Sequence, residues 1–97
     1  MRKEHNEYGS GTSFLAIVTE GSFLHAARQL HVAQSTVSNR IQQLEHEFNA
    51  TLFIRNRAGA KLTPAGRRFI PHARRWASVI EKAHQDIGME DEHETSS

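Results

Sequence analysis

Between Gln34 and His46 the chain carries an unusual run of short hydrogen-bonding side chains. Ser35, Ser38, Asn39, Gln42 and His46 recur at spacings that share one side of a helix turning 100° per residue, with Gln34 at its N-terminal end. A solvated helix face is usually built of Lys and Glu, whereas this one is neutral. Such groups suit base edges in the major groove of duplex DNA: Asn and Gln pair bidentately with adenine, and Ser serves a donor or an acceptor edge. The free N–H groups at the start of the same helix suit a phosphate. A merely soluble polar face is the alternative for these residues alone.

The second chemical set is basic. From Asn49 to Arg75 there are seven positive residues, Arg55, Arg57, Lys61, Arg67, Arg68, Arg74 and Arg75, and no negative one. From Trp76 to the end the balance is −5, so a formal net charge of +1 conceals a divided chain. A basic block on a near-neutral chain is the expected footprint of a polyanion partner, with an Arg-rich solvated surface as the alternative.

Other chemistries find little support. With no cysteine, disulfides and thiolate metal sites are excluded and a reducing cytoplasm fits. Seven histidines are present, but none shows the i, i+4 pairing or clustering of a zinc site, so no metal and no cofactor is expected. There is no nucleophile elbow and no Gly-rich phosphate loop, hence no catalytic residue and no enzyme. At 97 residues the chain holds one small core. No run approaches the ~20 apolar residues needed to cross a bilayer, so no membrane partner is expected.

Four helices and one hairpin position the two sets. Thr12 or Ser13 caps a short first helix whose Phe14, Ile17 and Val18 share a face. Gly21 ends it, and Ser22 is the N-cap of a second helix to Leu30, in which Phe23, Ala26, Ala27 and Leu30 form the apolar stripe. After the tight turn His31-Val32-Ala33, a third helix begins at Ala33 or Gln34 and runs to Phe48. Its Val37, Ile41, Leu44 and Phe48 stripe buries and turns the polar face outward. Asn49 suits the left-handed residue that ends it. Two short extended segments, Thr51–Arg55 and Lys61-Leu62, enclose a loop over 56–60 and make a basic wing presenting Arg55, Arg57 and Lys61. Thr63-Pro64 opens a long fourth helix. In it Phe69, Ala73, Trp76, Ile80, Ala83 and Ile87 step by 4, 3, 4, 3, 4, a heptad seam too long for so small a core and suited to a second copy of the chain. Pro71 predicts a kink.

These residues resemble the LysR-type transcriptional regulators of bacteria. The resemblance lies in Gly21-Ser22-Phe23, the Ala26-Ala27 pair, the QSxVS core from Gln34 to Ser38, the I-x-x-LE run from Ile41 to Glu45, LFxR at Leu52 to Arg55 and LTxAG at Leu62 to Gly66. It covers about residues 12 to 88. It implies a mainly α winged helix-turn-helix followed by a dimerising linker helix, and a cytoplasmic, nucleoid-associated regulator that binds double-stranded DNA as a homodimer. By position, Gln34, Ser35, Ser38, Asn39 and Gln42 would read bases or flanking phosphates. Ser22 and Thr36 would touch the backbone, and Arg55 and Arg57 would anchor the wing. A stand-alone module that pairs with a full-length regulator is the alternative function.

The sequence departs from the family in places. Leucines about one and two turns before Phe14 are usual there, and Gly11 and Tyr8 lie in that region here, with Tyr8 a substitute in packing. An Arg is common where Asn39 stands, with Arg40 following. Ala33 replaces the usual Ser or Thr cap. The family's effector-binding domain is absent from this chain, so a small-molecule effector is expected only if such a domain exists elsewhere. The expected organisation is a flexible N-terminus over 1–11, the winged helix-turn-helix over 12–66, the linker helix over 63–88 and an acidic disordered tail over 89–97.

Overall fold

The computed structural model describes the backbone of residues 2–96 and the side chains of residues 9–87. In order the elements are α1 (Arg2–Glu20), α2 (Phe23–Leu30), α3 (Gln34–Phe48), β1 (Phe53–Asn56), β2 (Gly59–Leu62) and α4 (Pro64–Ser96). This is the expected mainly helical winged helix-turn-helix with a long final helix.

The first helix starts about ten residues earlier than the sequence suggests, so the flexible segment expected over 1–11 is a correction. Gly9, Ser10 and Gly11 read as helix breakers, yet all three are buried inside α1. Each is where a neighbour comes close. A Cβ at Gly9 would lie 2.8 Å from Arg40 Nε, and one at Gly11 would lie 3.2 Å from Trp76 Cε3. The Ser10 hydroxyl donates to the Arg40 carbonyl at 3.1 Å, and Arg40 Nη1 donates to Ser13 Oγ at 3.2 Å. Packing of α3 and α4 onto these small residues outweighs the ~1 kcal/mol that each helical glycine costs. The packing role expected of Tyr8 lies outside the described side chains.

Gly21 ends α1 at φ 82, where its N–H reaches the Ile17 carbonyl at 2.7 Å. Ser22 Oγ then accepts the His25 N–H at 3.1 Å and caps α2. Ala26 and Ala27 are buried, and their small size lets α1 and α3 approach. The turn closes through His31 at φ 60, with the Val32 N–H on the Ala27 carbonyl at 3.0 Å. Ala33 starts α3 with no side-chain cap bond, and Asn49 ends it at φ 50. Val37, Ile41 and Leu44 bury as expected. Phe48 does not: it is 49% exposed, because Leu52 and Phe53 already occupy the core beneath the end of α3. Its ring lies instead beside Phe69, centroids 5.4 Å apart.

The Glu45 carboxylate fastens α3 to the wing. Its Oε2 accepts the Leu52 N–H at 2.8 Å and the Phe53 N–H at 3.3 Å. Glu45→Ala removes the acceptor from both donors and is expected to cost about 2 kcal/mol, a thermal midpoint lower by roughly 8–16 °C. A midpoint unchanged within error would show that water replaces the carboxylate at no cost.

In the wing β1 pairs antiparallel with β2, Phe53 opposite Leu62 and Asn56 opposite Gly59. The loop is only Arg57-Ala58, tighter than expected, and Asn56 Oδ1 accepts the N–H groups of Ala58 (2.9 Å) and Gly59 (3.0 Å) to hold it. Thr63 caps α4 by accepting the Gly66 N–H at 3.0 Å and donates to the Thr51 carbonyl.

The helix α4 passes through Pro71 as one element and continues to Ser96, so the acidic segment from 89 is helical rather than the disordered tail expected. The heptad seam divides. Phe69 (7% exposed) and Ala73 (0%) are spent within the monomer, and Trp76 is half-buried. Phe69 and Ala73 thus belong to the core of the monomer, and Trp76 keeps part of its surface open. Ile80 is half-buried, and Ala83 and Ile87 are exposed, as is Val79. One aromatic chain ties the molecule together: Phe23 to Phe53 at 5.8 Å, Phe53 to Phe14 at 5.1 Å, Phe14 to Phe69 at 5.0 Å and Phe69 to Trp76 at 5.6 Å. Among the described residues, no helix is long and apolar enough to cross a membrane.

Candidate nucleic-acid interface

The buried Val37, Ile41 and Leu44 fix the rotation of α3 about its axis and thereby its outer face. On that face Gln34, Ser35, Asn39 and Gln42 are exposed, and Ser38 and Thr36 are half-buried. The N-cap Ala33 makes no side-chain bond to the first turn of α3, where the Thr36 N–H turns back to the Ala33 carbonyl at 3.0 Å. The exposed side chains of this face can do the chemistry that base edges require.

The wing is held to this helix pair at defined points. The Ala60 N–H donates to the Gly21 carbonyl at 2.9 Å, docking β2 on the turn between α1 and α2. Gly59, at φ 140, makes this possible, since a Cβ there would meet that same carbonyl at 2.3 Å. Strand alternation then sorts the basic residues. Arg55 pairs with Ala60 on the face that packs toward α2 and α3, whereas Lys61 pairs with Ile54 on the opposite, exposed face. Arg57 sits exposed in the tip loop.

So the three wing cations expected to act as one set do not share a face. Arg55, though exposed, leans toward α2 and α3: its Cζ lies 4.1 Å from the centroid of the Phe23 ring, and its Nη1 lies 3.4 Å from Ser38 Oγ. The remaining basic residues of the block, Arg67, Arg68, Arg74 and Arg75, are exposed along α4. Ser22 is half-buried and doubly engaged, capping α2 and meeting His25 Nδ1 at 3.0 Å. His25 is exposed, a surface histidine three residues after the N-cap serine. Among the described residues no group of three or more His, Asp or Glu side chains forms a metal site.

Comparison with known proteins matches residues 12–67 to the family model described as "Bacterial regulatory helix-turn-helix protein, lysR family". The chain is 45% identical over 80 residues to a probable RuBisCO transcriptional regulator of Cyanidioschyzon merolae, covering 82% of this chain and 26% of that protein. It is 40% identical over 79 residues to the HTH-type transcriptional regulator YofA of Bacillus velezensis, covering 81% and 27%. It thus spans about a quarter of the length of these curated relatives. Among solved structures, the DNA-binding domain of CbnR in complex with DNA superposes with a TM-score of 0.75 at 27% identity, over 87% of this chain and 97% of that one. The BenM DNA-binding domain in complex with benA site 1 DNA gives 0.67 at 32% identity, over 88% and 95%. With the helix pair, the wing and the family motifs in register, the chain belongs to the lysR family of bacterial helix-turn-helix regulators.

Proposed function

We propose that this chain binds double-stranded DNA sequence-specifically as a homodimer and regulates transcription. In this reading α3 enters the major groove, with Gln34, Ser35, Asn39 and Gln42 at base edges or flanking phosphates. Ser22 and Thr36 meet the backbone, and Arg57 and Lys61 of the wing lie near phosphates. The observation that carries the reading is the exposed, uncharged, hydrogen-bonding face of α3 beside a docked basic wing. Solved relatives of the same fold bound to DNA support it.

Dimerisation rests on the part of the seam that the core leaves uncovered, Ile80, Ala83 and Ile87, with Val79 beside them. Two copies doubling the contacts gain affinity that one small reading head lacks, and they imply two half-sites separated by whole helical turns.

A mobility-shift titration with a selected duplex against a scrambled one tests the function. Binding is expected to fall with salt at a log–log slope of about −0.9 per phosphate contact. Gln34→Ala is expected to relax preference at one base pair, and Arg57→Ala to weaken all sequences alike and reduce the slope by about one contact. Equal affinity for both duplexes, with the dimer intact by sizing, would instead favour a module that pairs with another regulator.

A further inference from the structure

We propose that Arg55 is a specificity residue that acts through Ser38, fixing the Ser38 hydroxyl as a hydrogen-bond donor toward the DNA. The inference rests on the DNA-reading function proposed above and concerns what one residue of that surface reads. Arg55 looks from sequence like a wing anchor for phosphates, but the strand register turns it the other way, toward α2 and α3. Its guanidinium is seated over the Phe23 ring at 4.1 Å, a cation held on an aromatic face. Phe23 is itself buried, so the ring beneath the guanidinium is held by the core, while Arg55 stays exposed at its solvent side. The strand that carries Arg55 is fastened next door, where the Ala60 N–H meets the Gly21 carbonyl. From this seat Nη1 stands 3.4 Å from Ser38 Oγ.

The consequence is electrostatic. A serine hydroxyl has one proton to donate and two lone pairs to accept with, and its rotor normally turns to suit either partner. A cation beside the oxygen attracts a lone pair and repels the proton. Ser38, half-buried at the edge of the recognition face, is left with its proton directed away from Arg55. In the major groove a donor is met by purine N7, guanine O6 or thymine O4, and it opposes the amino group of cytosine. With one of its two lone pairs engaged by Arg55 and its proton turned outward, Ser38 favours an acceptor edge, and cytosine, which would need the second lone pair beside a cation, is disfavoured at the base it faces. Arg55 sets that preference as a positioning residue while the exposed tip residue Arg57 supplies charge alone.

The test is selection of binding sites from a duplex library randomised across the operator region, with the full chain and its variants. Wild type is expected to deplete cytosine at one position of each half-site. Ser38→Ala should flatten that position, and Arg55→Ala should flatten the same one, the preference falling roughly fivefold or more. In the Ser38→Ala background, Arg55→Ala should alter that position no further. Matching far-UV circular dichroism and thermal midpoints keep the comparison among folded proteins. If Arg55→Ala leaves base preference intact and lowers the salt slope by about one contact, Arg55 is a phosphate ligand and the inference falls. It also falls if the double variant changes the position beyond Ser38→Ala. A wild-type chain that selects no motif at all would overturn the DNA-reading function itself, a result distinguishable from either of these.

Discussion

Phe14→Ala is expected to cost about 3–5 kcal/mol, a large share of the 5–15 kcal/mol that holds a domain of this size together. Phe14 is completely buried, and its ring stands between Phe53 at 5.1 Å and Phe69 at 5.0 Å. Those two carry the aromatic chain outward to Phe23 and Trp76. Truncating Phe14 therefore leaves a cavity where α1, the wing and α4 meet, and none of the three can collapse into it without losing another contact. In urea the transition midpoint should fall with the slope unchanged, since the unfolded chain exposes nearly the same surface. Phe48→Ala is the matched control: a phenylalanine 49% exposed at the end of α3 should cost much less. Equal losses at the two positions would mean that the core is not organised around Phe14.

The second large effect is on function rather than stability. Gly59→Ala is expected to reduce DNA affinity by more than tenfold while leaving helical content intact, an estimate that takes loss of the docked wing as loss of one or more contacts worth ~1–3 kcal/mol each. The added methyl would stand 2.3 Å from the Gly21 carbonyl oxygen, a backbone atom that cannot swing aside. The residue also sits at φ 140, where a side chain is strained. Relief requires β2 to leave the α1–α2 turn, breaking the Ala60 to Gly21 bond and tilting the wing away from α3. Gly21→Ala separates strain from collision. Gly21 has φ 82 but open space around it, so it should lose stability by about 1 kcal/mol and retain wing docking. Titration of both variants against one duplex, beside their circular dichroism, checks the pair. Full affinity in Gly59→Ala would show that wing placement does not limit binding.

Much of this arrangement was legible in the residues because local rules and packing agree there. Ser22 caps α2, Thr63 caps α4 and Asn49 takes the left-handed position after α3, each as its side chain or backbone tolerance suggests. The spacing of Val37, Ile41 and Leu44 places the outer face of α3 correctly. The misreadings share a cause, tertiary contacts that outvote a local signal. Gly9 and Gly11 look like breakers until Arg40 and Trp76 are laid on them. The heptad seam runs on without a break in the sequence, and only the packing of α1 shows that its first two residues, Phe69 and Ala73, are spent inside the monomer. The lean of Arg55 toward α2 and α3 was hidden for a different reason. In a hairpin the parity of every side chain depends on the loop, and a loop read as 56–60 instead of Arg57-Ala58 leaves the faces undetermined.

The seating of Trp76 against Gly11 and of Arg40 against Gly9 has a consequence for building hybrids within the family. Bulk at this contact is supplied by α3 and α4, and α1 contributes only two hydrogen atoms to it at positions 9 and 11. A chimera whose grafted first helix carries large side chains at positions 9 and 11 would drive them into Arg40 and Trp76. The first helix is thus interchangeable only together with positions 40 and 76, three separated stretches of chain that behave as a single exchangeable part.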